Sequence, residues 1–297
     1  MSNFKSGFIA LVGRPNAGKS TLINHLTGHK IAIVSDKPQT TRNSIRGVYT
    51  DEEMQAIFID TPGVHKPKYQ LGQRMMSEVG TALSGCDVIF YLVDATERFG
   101  AGEQYILQMI KYASQPVFLI LNKIDLLTRE QLLPLIAFYA AKFPFAEVAP
   151  ISALKGDNSD VLKPLLRKYL PEGPHYYPDD TISDFPETML AAELIREQIL
   201  RLTTQEVPHS VAVTVNAMEE RAGDLLYIEA CVYVERESQK GIIIGKQGSM
   251  LKKIGSAARR EIEKLFACRV YLEIRVKSRG DWRDNRGLLA QMFFEQQ

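Results

Sequence analysis

Eight consecutive residues near the start of the chain have the types and spacing of a phosphate-binding loop. They follow an apolar segment and are Gly13-Arg14-Pro15-Asn16-Ala17-Gly18-Lys19-Ser20, which matches GxxxxGK[ST]. Glycines at both ends let such a loop wrap closely, so that successive backbone N–H groups point at one anion. We expect Lys19 to reach the terminal phosphates of a nucleotide and Ser20 to offer its hydroxyl to Mg²⁺. The helix that continues through Thr21 adds its dipole.

A second element with phosphate chemistry closes a predicted strand at Met54–Ile59. It consists of Asp60-Thr61-Pro62-Gly63. An acidic residue beside a phosphate-binding loop is expected to hold Mg²⁺, and Gly63 can bring its backbone N–H close to a γ-phosphate. Alone, these four residues would more often form an ordinary turn. Their position at the end of an apolar strand is therefore what favours a functional role.

A third element predicts which base is bound. The predicted strand Val117–Leu121 runs into Asn122-Lys123-Ile124-Asp125. The carboxylate of Asp125 can accept two hydrogen bonds from the N1–H and N2–H₂ groups of guanine. Adenine offers no such donor pair and would leave a buried charge unsatisfied. We expect Asn122 and Lys123 to brace this loop and cover the base, so the predicted ligands are GTP and GDP.

A fourth element adds a backbone contact to the base. Ser152 and Ala153 follow the predicted strand Glu147–Ile151, and the Ala153 N–H can donate to guanine O6. All four elements lie where strands end, which is where open α/β sheets bind ligands.

The elements that must position these loops follow an alternating pattern, which indicates a mostly parallel α/β sheet. Strands are predicted at Phe8–Val12, Met54–Ile59, Asp87–Val93, Val117–Leu121 and Glu147–Ile151, and helices at Lys19–Gly28, Leu71–Leu83, Glu103–Tyr112, Glu130–Ala141 and Asp160–Tyr169. A further extended segment, Ser44–Thr50, is expected to pair antiparallel with Met54–Ile59. We assign residues 1–172 to this domain.

A proline-rich stretch follows, and a second domain of different class begins after it. Residues 173–186 are predicted to be a linker, because prolines this dense forbid a continuous helix or central strand. Residues 187–297 change to a smaller α+β module with a last helix at its C-terminus. Its predicted elements are a helix at Glu187–Leu202, strands at Ser210–Asn216 and Leu225–Val234, two helices joined by a glycine-containing turn, and a strand at Arg269–Lys277.

The glycine-containing turn of the second domain predicts contacts with single-stranded RNA. An isoleucine run precedes a GxxG loop, and residues 240–286 carry 13 Lys or Arg against 5 Asp or Glu, a local net charge of +8 in a chain of +1 overall. Glycines without a Cβ let phosphates approach the main chain, and bases would lie along the isoleucine helix. A lone GxxG is usually only a turn, so the surrounding pattern carries this prediction. The predicted RNA contacts are Ile242, Ile244, Gly245, Lys246, Gln247, Gly248, Lys252 and Lys253.

Taken together, these motifs carry a family resemblance over nearly the whole chain. The first four look like a Ras-like P-loop GTPase, and the GxxG loop within helix–strand–strand–helix–helix–strand order resembles a type II KH domain. The combination closely resembles the Era family of bacterial-type ribosome-assembly GTPases. That resemblance implies a GTP-hydrolysing switch that binds the 3′ end of small-subunit ribosomal RNA and assists assembly of the small ribosomal subunit. It also implies peripheral contact with the membrane, expected at its inner face. The apolar stretches are too short to span a membrane and no signal pattern is present, so we expect a cytoplasmic protein. No obligate protein partner is evident from the sequence.

The resemblance assigns further residues. Thr41, in Pro38-Gln39-Thr40-Thr41-Arg42, would belong to switch I and close onto Mg²⁺, beside Ser20 and Asp60, when the γ-phosphate is present. Switch II would cover roughly Val64–Met76. Lys19, Asn16, Thr41 and Gly63 would then be the residues closest to the chemistry. Val64 stands where Ras-like enzymes carry a water-orienting glutamine, so we expect slow intrinsic hydrolysis. In related GTPases with an apolar residue there, an asparagine matching Asn16 helps to bind K⁺.

Three other readings of the sequence stay open at this level. The first is a nucleotide-gated RNA-binding scaffold with negligible turnover. Val64 is compatible with this alternative because an apolar side chain cannot orient the attacking water. The second, an RNA-modifying enzyme with an attached nucleotide domain, lacks a candidate cofactor site or catalytic cysteine. The third, a membrane-trafficking switch, lacks a lipidation motif. Leu154 also departs from the usual Ser-Ala-Lys of the last guanine element, which puts one side-chain contact to the base in doubt.

Overall fold

The computed structural model describes residues 4–35, 37, 40–64, 69–203, 207 and 210–292. Of the predicted switch residues, Pro38, Gln39 and residues 65–68 lie outside this set. The chain divides into two compact units. The first comprises Met1–Ala32, Thr41–Lys68 and Gly72–Asp184, and the second comprises Ile33–Thr40, Tyr69–Leu71 and Phe185–Gln297.

The first unit is built on a six-stranded sheet in which only one pair of strands is antiparallel. Its strands are β1 (Lys5–Gly13), β2 (Ile45–Thr50), β3 (Met54–Asp60), β4 (Val88–Asp94), β5 (Val117–Asn122) and β6 (Glu147–Ile151), in the spatial order β2-β3-β1-β4-β5-β6. The β2–β3 pair is antiparallel and the others are parallel. The predicted fold class and the predicted antiparallel segment are confirmed.

Helices cover both faces of this sheet, which is why its strands are apolar almost throughout. They are α1 (Lys19–Thr27), α2 (Gln70–Ser84), α3 (Ala101–Ile110), α4 (Arg129–Ala140) and α5 (Leu162–Tyr169). Because side chains alternate along a strand, Ile9 and Leu11 of β1 enter one core, while Ala10 and Val12 enter the core on the opposite face. The sheet is therefore held from both sides, and its carboxyl-terminal edge is a rigid base for loops.

The predicted linker packs along the first unit as far as Asp184. The buried side chain of Gln55 accepts hydrogen bonds from the backbone N–H groups of Tyr176 (2.8 Å) and Tyr177 (3.0 Å) and donates to the Tyr177 carbonyl. Asp184 accepts from the Tyr177 hydroxyl at 2.7 Å and from Arg46 at 3.1 Å. Because prolines exclude regular secondary structure here, side chains form the hydrogen bonds to the backbone N–H and C=O groups instead.

The second unit has the element order predicted for a type II KH domain. It contains α6 (Glu187–Leu202), β7 (Val211–Arg221), β8 (Leu225–Val234), α7 (Glu237–Ile244), α8 (Ser249–Phe266), β9 (Arg269–Ser278) and α9 (Arg286–Met292). Strand β8 lies in the centre, antiparallel to β7 and parallel to β9. Strand β7 is longer than predicted because a register shift between Val215 and Ala217 breaks the alternating pattern at the point where the sequence suggested an end.

Trp282 packs inside the second unit. Its side chain is fully buried, and its indole N–H donates to the Ser210 carbonyl at 3.1 Å. Among the helices in the described part of the chain, none combines the length and apolar character needed to cross a bilayer.

Candidate functional site

The loop between β1 and α1 contains glycine positions at which no other residue would fit. Gly18 adopts φ +96°, and a Cβ on it would overlap with the side-chain amide of Asn122. A Cβ on Gly63 would lie 2.8 Å from the backbone of Pro15, so the loop after β3 also approaches main chain to main chain. Val64 donates its N–H to the Gly13 carbonyl at 3.0 Å. The glycines of both motifs thus form one concave stretch of backbone.

Lys19 places a buried positive charge inside this loop. Its side chain is 6% exposed, and its ammonium group donates to the carbonyls of Gly13 (3.3 Å) and Arg14 (3.2 Å). Burial lowers the pKa of Lys19 to about 8, against an opposing effect of Asp60. A polyanion in the loop would relieve this desolvation cost, so the arrangement favours phosphate.

Three oxygen atoms from distant segments meet beside Lys19. The Ser20 hydroxyl donates to Asp60 Oδ2 at 2.6 Å and lies 2.9 Å from the Thr41 hydroxyl, which is 3.2 Å from the same carboxylate oxygen. Neighbouring ligands of an octahedral Mg²⁺ ion at its usual bond length are about 2.9 Å apart. Hard oxygen donors at this spacing fit Mg²⁺, and the three residues are those that the sequence analysis placed around the metal.

Asn122 ties the phosphate loop to the base-recognition loops. Its side-chain N–H₂ donates to the Ala17 carbonyl at 2.8 Å, and its side-chain oxygen accepts from the Ala153 N–H at 2.9 Å. The bracing predicted for Asn122 is therefore present. The Ala153 N–H, which the sequence analysis directed to guanine O6, is bonded to Asn122 in this structure.

Asp125 is held as a charged, largely buried carboxylate. Its side chain is 8% exposed and lies 3.6 Å from the Lys155 ammonium. A hydrogen bond from Ser152 and the charge of Lys155 keep the pKa of Asp125 below its ordinary value despite burial. Asp125 is thus an acceptor for a donor pair such as the edge of guanine.

Several residues that shape this site were missed from sequence. Lys155 comes one position after Leu154, which is 79% exposed, so a lysine does serve the loop but from the next residue. Asp94 at the end of β4 pairs with the Lys123 ammonium group. Glu103 of α3 is buried and accepts from Arg14 at 3.0 Å, which fixes the rim of the phosphate loop. Only the position of Asp94 at a strand end could have indicated such a role.

The GxxG loop of the second unit presents its main chain to solvent. Gly245 and Gly248 adopt φ +72° and +77°, and Gln247 between them is also left-handed. A Cβ on Gly245 would lie 2.7 Å from that of Met250, whereas Gly248 faces open space. Lys246 is exposed, and the N-terminus of α8 follows directly. This loop can therefore accept phosphate oxygens at close range.

The side chains around this loop divide between core and surface. Ile243 is fully buried in the core of the second unit, whereas Ile242 is 49% exposed and Ile244 is half-buried. Lys252 and Lys253, on the first turns of α8, are exposed. The residues predicted to contact RNA thus lie on one loop and the helix ends beside it.

We predict that nucleotide affinity falls as pH rises through the pKa of Lys19. Above about pH 8 the nucleotide-free site loses its ammonium charge, and the dissociation constant for GDP should rise by up to about tenfold per pH unit. Fluorescence titrations between pH 7 and 9 measure this. The Lys19→Ala variant is the control, since its profile contains only the titration of the nucleotide and the remaining groups. Parallel profiles for the two proteins would contradict the role of Lys19.

Comparison with known proteins agrees with this geometry. A family model described as 50S ribosome-binding GTPase matches residues 8–123, and a KH domain model matches residues 206–283. Two solved structures match nearly the full length, with 43% sequence identity, a TM-score of 0.94 and coverage of 97% of this chain. One is a variant of Era from Aquifex aeolicus bound to GDP·AlF₄⁻, of which 99% is covered. The other, 98% covered, is Era in complex with MgGDPNP and nucleotides 1506–1542 of 16S ribosomal RNA. At this identity over nearly the whole length of both proteins, the chain belongs to the Era family of GTPases.

Proposed function

We propose that this chain hydrolyses GTP with Mg²⁺ and binds single-stranded RNA of the small ribosomal subunit, whose assembly it assists. The observation that carries the proposal is the link between a phosphate loop and a base-edge carboxylate through Asn122. The relatives with GDP·AlF₄⁻, and with MgGDPNP and 16S ribosomal RNA, support the same reaction and the same partner.

In this proposal, the phosphate chain of GTP binds to the backbone N–H groups of the loop from Gly13 to Thr21. Lys19 faces the β- and γ-phosphates, and Gly63 approaches the γ-phosphate from the loop after β3. Ser20, Thr41 and Asp60 hold Mg²⁺, as their mutual distances support. The buried environment makes each of these polar groups more effective than it would be in water.

Catalysis in this arrangement rests on positioning and charge. Negative charge develops on the transferred phosphoryl group, and the Lys19 ammonium and the loop N–H groups neutralise it without having to reorganise. Mg²⁺, when bound, supplies further positive charge between the phosphates. The side chain of Val64 is buried and apolar, so it cannot orient the attacking water. We therefore retain slow intrinsic hydrolysis as a prediction, and with it the contact of Asn16 with K⁺.

Hydrolysis is favoured over the scaffold alternative. A scaffold would require only that the nucleotide be held, whereas a relative captured with GDP·AlF₄⁻ supports turnover in this family. Single-turnover hydrolysis with K⁺ and RNA present separates the two, because a scaffold shows no phosphate release. The expected contact with the inner face of the membrane stays a prediction.

The RNA side of the proposal rests on the GxxG loop. Gly245 and Gly248 leave the main chain open to about four nucleotides of backbone, and Lys246, Lys252 and Lys253 neutralise phosphates. The bases would then lie against Ile242 and Ile244. Binding should weaken with rising salt, as it does whenever phosphate contacts release counterions.

Replacing Asp125 with asparagine should change which base is accepted. The amide would face the N2–H₂ group of guanine with a donor as well as an acceptor, whereas xanthine offers an oxygen at that position. We expect GTP affinity to fall about 100-fold or more and xanthosine triphosphate to bind better than GTP. Competition against a fluorescent nucleotide measures both. The Asp94→Asn variant is a control that alters a neighbouring carboxylate bonded to Lys123, and unchanged GTP affinity in Asp125→Asn would refute the base assignment.

A charge reversal in the GxxG loop should remove RNA binding and spare GTP binding. The double variant Gly245→Asp and Lys246→Asp places two carboxylates where phosphates approach, and RNA affinity should fall at least about 100-fold. A matched control is Arg221→Asp with Gly223→Asp in the β7–β8 turn. It has the same change in charge and likewise places a side chain on a glycine of positive φ (+78°). Equal loss of RNA affinity in both variants, or in neither, would move the RNA site elsewhere.

A further inference from the structure

Helix α8 follows the GxxG loop directly, and its solvent-facing side carries an excess of positive charge. Its other side is apolar, with Ile254, Ala258 and Ile262 buried in the core of the second unit. The two acidic residues of the helix, Glu261 and Glu263, are half-buried. Its basic residues, by contrast, are all exposed, and they are Lys252, Lys253, Arg259, Arg260 and Lys264. We call the surface formed by these five residues the basic side of α8.

Helical spacing places three of these cations in one row along the helix axis. Lys253, Arg260 and Lys264 are separated by seven and then four residues, which correspond to about two turns and about one turn. At a rise of about 1.5 Å per residue the row is about 16 Å long, the length of about five stacked nucleotides of one strand. Because Lys253 comes five residues after Gly248, the row starts beside the GxxG loop and leads away from it.

The position of these charges is unfavourable for the helix itself. Solvated helices usually pair opposite charges three or four residues apart. Arg260 and Lys264 are instead like charges four residues apart, which destabilises a free helix. Lys252 and Lys253 lie near the N-terminus of α8, where the macrodipole favours anions over cations. An anion bound along this side of the helix would relieve both effects.

The protein compensates little of this charge. Among the described residues, Arg259 is the one cation of the basic side with an acidic partner, Glu263 at 3.8 Å. Glu263 also accepts the Val270 N–H at 3.1 Å, so its charge is already engaged. Arg260 donates its Nε–H to the Ser256 carbonyl at 3.3 Å, which is a neutral acceptor on the surface of the same helix. The remaining positive charge is therefore available to an external polyanion.

RNA is the polyanion that these observations favour. A strand whose phosphates lie on the GxxG loop can continue along α8 without a break, because the loop and the helix are contiguous. An anionic membrane would also attract cations. However, amphipathic helices that bind membranes insert their apolar side, and the apolar side of α8 is part of the protein core.

We propose that the basic side of α8 is a second part of the RNA site, on which Arg260 and Lys264 contact phosphates of a strand held in the GxxG loop. This inference rests on the proposed function in one respect, namely that the loop holds the strand. It gives the RNA site a length of about four nucleotides in the loop and about five along the helix. Contacts to phosphates add affinity and salt dependence without reading the sequence.

The double variant Arg260→Gln with Lys264→Gln of the full chain tests this proposal. Both positions are exposed and glutamine is a good helix former, so the fold should be kept, and unchanged GDP affinity verifies this. The matched control is Lys111→Gln with Arg129→Gln, which removes the same charge from exposed positions of the first unit. The probes are two oligoribonucleotides from the 3′ end of 16S ribosomal RNA. One has about 5 nucleotides, and the other extends it at both ends to about 12.

The loss of affinity should depend on the length of the RNA. The longer probe should bind the double variant about tenfold more weakly than the wild type, whereas the shorter probe should bind both equally. Each phosphate contact contributes about −0.7 to the slope of log K against log salt concentration for a single strand. With the longer probe, the slope of the double variant should therefore be less steep by about 1.4. The control variant should behave as the wild type in every measurement.

An unchanged salt slope in the double variant would overturn the inference, and so would equal losses for the two probes or an equal loss in the control. Sedimentation with phosphatidylserine vesicles adds a further arm. Weaker vesicle binding with intact RNA binding would assign the basic side of α8 to a membrane and would also overturn it. A wild type that binds the two probes equally would refute this inference alone, whereas a wild type that binds neither would refute the proposed function as well.

Discussion

The predicted nucleotide site of the first unit depends on one buried ammonium group, which lies in a loop whose glycines could not be replaced by larger residues. Lys19 is charged at neutral pH although burial lowers its pKa to about 8, and its nearest partners are backbone carbonyls of the same loop. Such a group is poorly compensated by the protein alone, and a phosphate chain is the ligand that compensates it best. Glycines at positions 13, 18 and 63 let that ligand approach the backbone N–H groups closely. In the proposed function, the oxygens of Ser20, Thr41 and Asp60 would hold the Mg²⁺ ion that accompanies the phosphates.

The second unit offers a phosphate-bearing ligand the same features as the first, namely an open glycine backbone, a helix N-terminus and lysine side chains. Gly245 and Gly248 adopt backbone angles that open the main chain, a helix N-terminus follows the loop, and exposed lysines surround it. The difference lies in burial. In the proposed function, the nucleotide loop would enclose its anion and the carboxylate of Asp125 would select the base, whereas the exposed GxxG loop would leave selection to the bases of a single strand. One chain thus combines an enclosed site suited to chemistry with an open site suited to binding.

Local sequence pattern was sufficient to predict most of the fold and the places in it where the motif residues lie. The phosphate loop, Asp60, Asn122 and Asp125 sit at strand ends that the apolar runs already indicated, because motif and strand are contiguous in sequence. What could not be predicted depends on residues far apart. Glu103 reaches Arg14 across 89 positions, and Gln55 holds Tyr177 across 122. The proline-rich stretch was predicted as a linker because composition reveals the absence of regular structure but not the side-chain contacts that replace it.

In the proposed function, a single pocket recognises both the phosphates and the guanine base of one nucleotide. Calorimetric titration of the nucleotide-free full chain with GTP and with ATP, in the same buffer with Mg²⁺, tests it most directly. The structure predicts that GTP binds at least about 100-fold more tightly, a difference of about 2.7 kcal/mol, because adenine lacks the two N–H donors that guanine offers to the Asp125 carboxylate. Equal affinity for the two nucleotides, or binding of neither, would contradict the assignment of this pocket.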